Sequence, residues 1–140
     1  MPEGYPIHDL FIRPIEVIEE PGVTRWPALA DTDHLLRRFG HAEIVRLQEE
    51  TKTRLRVREV ADEIWALVDG SVEFIWHDLR TNSPSYDRQY RYQCDQPTLV
   101  LVPFGVAFGH RLIQPPVTLL RITTHANGET TGDREFDFTD

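Results

Sequence analysis

Apolar and polar residues alternate over short stretches along most of this chain, which is the period of a half-buried strand. His41–Glu50 reads "HAEIVRLQEE", and the segment from Thr53 reads "TRLRVREV", with basic and apolar residues taking turns. Further on, "EIWALVDG" runs into "SVEFIWHDLR" through Asp69-Gly70, a dipeptide that favours a hairpin turn. "RQYRYQCD", "TLVLVPFG", "GVAFGHRLI" and "VTLLRITTH" continue the rhythm, and "LFIRPIEVIEE" supplies a strand or a pair of strands near the start. One segment breaks it. "DTDHLLRRFG" has Asp31 or Asp33 to cap a helix start, Leu35, Leu36 and Phe39 on one side and Gly40 to end it. With Pro and Gly punctuating short segments, the pattern predicts about eight to ten strands in a β-sandwich, jelly roll or barrel, plus one short N-terminal helix.

The length of 140 residues suits a single domain of 1–140. Its barrel core is expected over about 43–124, with strands and helix at 8–40 and a polar tail at 125–140. That tail is either frayed or docked by Phe136 and Phe138. No apolar run approaches the roughly 20 residues that span a bilayer. "MPEGYPIHDLFIRP" lacks the basic start and apolar core of a signal peptide, and the single Cys94 fits a reducing cytoplasm. The formal charge of −8 opposes nucleic acid as a partner, although local arginines still admit a small anionic ligand.

Two blocks carry a more specific signal. "ADEIWALVDGSVEFIWHDLRTNSPSY", with Gly70, Asp78-Leu79-Arg80, Ser83-Pro84 and Tyr86, precedes "LVLVPFGVAFGH", with Pro103, Gly105, Ala107 and Gly109. Together and at this spacing they resemble the dTDP-4-dehydrorhamnose 3,5-epimerase family of the cupin superfamily. "AEIVRLQ" is similar to the strand before the barrel motif in related nucleotide-sugar ketoisomerases. The resemblance covers about Glu43 to Thr124 and implies a cupin double-stranded β-helix, an all-β jelly-roll barrel. It also implies a sugar nucleotide as ligand, a role in deoxysugar or polysaccharide biosynthesis, and a homodimer.

The family's chemistry does not carry over residue by residue. Where cupins place the His-x-His of a metal site, this chain has Arg56-Val57-Arg58; Glu63 and Gly70 are in register, and the later histidine position is Phe108. A guanidinium has no lone pair for a metal, so neither metal nor other cofactor is expected. The family's lysine aligns with Glu63 and its aspartate with Phe74. "TKTRLRVRE" offers no histidine base, and "TTHANGETTGD" offers no tyrosine.

Strand alternation applied to this alignment turns Arg56, Arg58, Glu63, Trp65, Phe74, Trp76, Phe108 and His110 inward. Arg46 joins from the preceding strand, Arg121 has an ambiguous parity, and Ile75 and His77 point outward. Glu63 and His110 are the candidate acid/base pair. Arg46, Arg56, Arg58, Trp65, Trp76 and Phe108 are the candidate substrate-binding residues, with arginines for a carboxylate or phosphate and rings for a base or sugar. Plainer roles stand beside these: rings that fill the barrel, and arginines paired with Glu59, Asp62 or Glu63. Asp78 and Arg80 are expected to fix the "TNSPSY" loop. Tyr86, Tyr90 and Tyr92 serve packing or donate a proton, while His8, His34, His41 and His125 are expected at the surface. Three functions fit: an epimerase or isomerase relative with rearranged groups, an inactive module binding a small anionic sugar or carboxylate, or a structural or interaction protein with a filled barrel.

Overall fold

The structure is a computed structural model that describes residues 6–49, 54–126 and 132–137. Two long bent strands form its spine. Strand β6 (Glu63–Asp78) runs antiparallel to β9 (Val106–Thr123) along nearly its whole length, from Glu63↔Thr123 to Asp78↔Val106. On its other edge, the first half of β6 pairs with β8 (Thr98–Val102) and the second half with β7 (Gln89–Cys94). Strand β1 (Phe11–Pro14) extends the first half through β8, and β4 (His41–Leu47) lies against the end of β9. Strand β5 (Arg54–Val57) meets the start of β9 at Arg56↔Phe108, and β10 (Arg134–Asp137) adds to β5. A separate hairpin joins β2 (Ile18–Glu20) to β3 (Val23–Arg25). Among the described residues, the eight strands other than β2 and β3 form one sheet, folded into the expected jelly-roll barrel of the cupins. Among the described residues no helix is long and apolar enough to cross a membrane.

The sheet closes because β6 bends in the middle. Asp69-Gly70 is not a hairpin turn: the ladder to β9 shifts register between Leu67 and Val72, and the strand continues. Gly70 has φ +99°, and a Cβ there would lie 2.5 Å from the Pro116 carbonyl oxygen, so only glycine fits this crossing. The shift reverses parity, so odd residues Trp65 and Leu67 and even residues Val72, Phe74 and Trp76 all reach one core with Val100, Val102, Phe108, Val117 and Leu119. "GVAFGHRLI" and "VTLLRITTH" are likewise one strand, β9, and not two. The Pro-x-Gly turn does form. Val106 N–H donates to the Pro103 carbonyl, and Gly105 at φ +81° lies against the Arg80 side chain.

The helix expected at Asp31–Gly40 is absent; only a 3-10 turn, Asp31–Asp33, forms. Tertiary bonds outcompete the local preference. Asp33 accepts the Ala30 N–H at 2.7 Å and both Arg13 Nη atoms at 3.0 and 3.2 Å, and His34 takes a left-handed φ of 53° that ends the turn. Leu35 and Leu36 then pack over Ile64, Ala66 and Leu99 on the outer face of the sheet, while Phe39 is exposed. Ile75 faces outward as expected. It is nevertheless buried with Leu55, Val57 and Ala107, so it presents nothing to a partner.

Two expectations for loops hold in different degrees. Asp78 is buried and accepts hydrogen bonds from the Arg80 N–H and guanidinium and from the hydroxyls of Ser83 and Ser85, at 2.6–3.0 Å. Burial alone would raise its carboxyl, but these bonds hold it far below its ordinary value. The polar tail docks as β10, with Phe136 in register with Leu55; Phe138 lies outside the described residues.

Candidate functional site

One end of the barrel opens into a cavity of about 350 Å³. Its floor is built on Glu63, the first residue of β6, whose side chain is only 4% exposed. The Trp65 indole N–H donates to Glu63 Oε1 at 3.0 Å, both residues standing on the same face of the strand. Glu63 Oε2 accepts Arg121 at 2.6 Å, Arg56 at 2.8 Å and Arg58 at 3.4 Å. Burial pushes this carboxyl up. The Arg121 hydrogen bond, the Arg56 and Arg121 charges and the indole N–H outweigh that and hold it below the ordinary carboxylate range. Glu63 is therefore an ionised anchor with its lone pairs taken, poorly suited to removing a proton.

His110 lies on the β9 wall, edge-on to Trp65 with ring centroids 5.4 Å apart. Burial, reinforced by the Arg56 charge, lowers its pKa against the opposing effects of its own backbone hydrogen bond and Glu63. The imidazole is thus neutral at pH 7, with a lone pair on one ring nitrogen. Phe108 completes the aromatic part of the floor, 5.7 Å from Trp65. Arg56 reaches the cavity from β5 with its side chain 31% exposed, and Val45, Leu47 and Leu112 supply an apolar wall.

Of the predicted site residues, the structure brings together Glu63, His110, Arg56, Trp65 and Phe108. Three others are moved. On β4 the odd residues Glu43, Val45 and Leu47 face the cavity, so Arg46 points to the outside and is exposed. Arg58 lies behind the wall, 4% exposed, and donates to Glu63, to Asp133 and to the carbonyls of His125 and Ala126. Trp76 has no exposed surface and packs against Phe74, Phe108 and Tyr90, with its indole N–H on the Leu101 carbonyl at 3.3 Å. Tyr90 and Tyr92 stack on one another beside that core, and Tyr86 is exposed.

Sequence reasoning missed Glu43 and Glu135 and left Arg121 undecided. Arg121 is buried over the Trp65 ring and joins Glu63 to Glu43, which it binds at 3.0 Å. Glu43 also accepts from His41, with Nε2 and Oε1 3.1 Å apart. A cross-strand pairing of Glu43 with Arg121, and of Glu135 with Arg56, would have exposed both had the registers been known. The donors at the cupin metal positions do not fit a cation: Arg56 and Arg58 offer only N–H groups and Phe108 none. Among the described residues no group of three or more His, Cys, Asp and Glu is arranged to hold a metal.

The barrel has the jelly-roll fold found in dTDP-sugar epimerases and isomerases. A dTDP sugar isomerase from Desulfovibrio desulfuricans G20 superposes with a TM-score of 0.76 at 16% identity, over 96% of this chain and 86% of that one. The 3'-monoepimerase ChmJ from Streptomyces bikiniensis, in complex with dTDP-quinovose, gives 0.78 at 13% identity, over 94% and 70%. A dTDP-6-deoxy-D-glucose-3,5-epimerase from Legionella pneumophila Philadelphia 1, in complex with dTDP-4-keto-L-rhamnose, gives 0.75 at 15%, over 94% and 73%. By sequence, the chain is 30% identical over 97 residues to the spore coat polysaccharide biosynthesis protein SpsL of Bacillus subtilis (strain 168), a match that takes in 67% of this chain and 64% of that protein. No protein-family model matches the chain.

Proposed function

We propose that this protein binds a sugar nucleotide in the Glu63–His110 cavity and acts on its sugar as an epimerase or isomerase in polysaccharide biosynthesis. The observation that carries this reading is a neutral, half-buried imidazole beside a partly exposed guanidinium on the wall of an open cavity. Removing a proton next to a ketone needs a base with a free lone pair, which His110 offers, and a cation for the developing enolate, which Arg56 offers. Glu63 does not take the proton in this scheme; it fixes Arg56 and Arg121. The polysaccharide-related name of the SpsL protein and the dTDP-sugars held by the structural neighbours support the substrate class.

A second reading is a binding module without turnover for a small anionic sugar or carboxylate. It is favoured by the fact that Arg56 is already bonded to Glu63. A thermal-shift series against dTDP, dTDP-sugars and small carboxylates, with Arg56→Ala and His110→Ala alongside, separates the two. A ligand at one hundred times its dissociation constant adds about 2.7 kcal/mol. A dTDP-sugar shift lost in Arg56→Ala, with solvent deuterium entering the sugar in the wild type but not in His110→Ala, supports the enzyme. Binding without exchange supports the module, and no shift with any probe refutes both. We further propose a cytoplasmic homodimer. The exposed Ile44 and Phe39 support a pairing surface, and sedimentation of wild type against Ile44→Glu tests it.

A further inference from the structure

We propose that β10 is a ligand-responsive wall of the cavity, that Arg58 is the positioning residue tying it to the Glu63 floor, and that Glu135 is the side chain it delivers to the ligand. The ligand part of this inference rests on the sugar-nucleotide reading above; the coupling part does not. Glu135 lines the cavity from β10, in register with Arg56 and 3.3 Å from Arg54. It is a carboxylate at the mouth, where a sugar's hydroxyl groups offer hydrogen bonds.

Among the described residues β10, an edge strand of four residues, pairs only with β5, so the ladder seen there holds it on one side. Among the described residues, ion pairs also attach this segment. Arg134 meets Glu59 at 3.1 Å, and Arg58 meets Asp133 at 3.2 Å. Arg58 is the unusual member of this set, because a guanidinium this buried is costly unless every donor is used. Its donors divide between two structures. One side binds Glu63 Oε2, the atom that also receives Arg56 and Arg121. The other binds Asp133 and the carbonyls of His125 and Ala126, where the chain leaves β9 on its way to β10. A ligand that draws Arg56 off Glu63 strengthens the claim of Glu63 on Arg58, and the balance at Asp133 shifts with it. The floor and β10 therefore share one carboxylate–guanidinium chain, Arg56–Glu63–Arg58–Asp133.

The test uses the full chain, labelled with nitrogen-15, as wild type and as Asp133→Asn, a substitution that reaches Glu63 through Arg58. Two signals are read: amide exchange across 134–137, and the Trp65 indole N–H, which reports Glu63 through its hydrogen bond. Trp26 and Trp76 serve as internal controls. We expect Asp133→Asn to speed exchange at least tenfold and to move the Trp65 signal. Faster exchange with the Trp65 signal unmoved overturns the coupling. With dTDP added, exchange across 134–137 slows in the wild type. Glu135→Gln loses at least fivefold in affinity for a dTDP-sugar while keeping its affinity for dTDP. Unchanged affinity for both overturns the role of Glu135. If neither dTDP nor a dTDP-sugar binds while Asp133→Asn still moves Trp65, the sugar-nucleotide reading and the role of Glu135 fall and the coupling stands.

Discussion

Replacing Glu63 by glutamine keeps the shape of the floor and removes its charge. Arg121 and Arg58, with side chains 2% and 4% exposed, would then face a neutral amide. Breaking a buried ion pair by removing one partner costs about 3–5 kcal/mol. Two features pull the expectation to the low end of that range. Arg121 keeps Glu43 and Arg58 keeps Asp133, while Arg56 is exposed enough to turn toward water. We therefore expect a loss of about 3 kcal/mol in urea unfolding at pH 7, with the melting temperature falling by about 6–12 °C. The pH dependence follows from the lowered carboxyl. The unfolded chain binds the proton more readily than the fold does, so the contribution is complete above the ordinary value of 4.5 and is lost as pH falls below it. The variant should accordingly lose part of the wild type's acid sensitivity below that pH. Pairing Glu63→Gln with Arg121→Met closes a double-mutant cycle. A coupling of at least about 1 kcal/mol is expected, because Arg121→Met removes one of the stranded charges. A loss under about 1 kcal/mol in the single variant, or simple additivity in the cycle, would refute the account of Glu63 as a charged anchor.

Four further outcomes follow from the same geometry. His110 has a lowered pKa in the fold, so wild-type stability should fall as pH drops below 6.5, and His110→Asn should remove that slope in paired urea titrations between pH 5 and 7. Asp78→Asn should cost about 3 kcal/mol and open the 79–87 loop to trypsin at Arg80, because Arg80, Ser83 and Ser85 all bond to that carboxylate. Trp76→Phe should lower stability by about 1–3 kcal/mol without changing ligand affinity, and Arg46→Ala should change neither by more than about 0.5 kcal/mol.

Alternation made the barrel legible in the sequence because a sheet with one covered face writes its register into every second residue. Trp65, Phe74, Trp76 and Phe108 all point inward, even though β6 reverses parity near Gly70. What stayed hidden depended on distant contacts. The cap-like Asp33 and the Leu35–Leu36 pair satisfy a helix pattern, yet Arg13, twenty positions earlier, takes the carboxylate and fixes a turn in its place. Asp69-Gly70 has the composition of a hairpin, but β9 runs past it unbroken, and glycine is needed there for close approach to Pro116 and not for reversal. Arg46 failed for a simpler reason. A strand seen alone has two equivalent faces, and only its register against β9 shows that Glu43, Val45 and Leu47 look inward.

The candidate site follows a different logic from the fold. Inward residues are chosen by the pleat, but whether an inward arginine meets a ligand depends on how many carboxylates reach it first. Arg58 and Arg56 stand two apart on neighbouring pleats and looked equivalent in sequence. Arg58 is surrounded by Asp133, Glu63 and two carbonyls and has become part of the wall. Arg56 has one bond to Glu63 and keeps surface in the cavity. The difference is made by residues 125, 126 and 133, sixty-seven or more positions away along the chain. At the positions where cupins gather imidazoles around a metal, this chain has gathered guanidiniums around a carboxylate. The exchange inverts the sign of the central charge. A central cation would attract an oxyanion directly, whereas here the anion is fixed in the centre and the cations stand around it. In the proposed reaction an oxyanion formed in the cavity is therefore met from the rim, where Arg56 stands beside Arg54 and Arg111, with Glu63 holding the Arg56 guanidinium from behind.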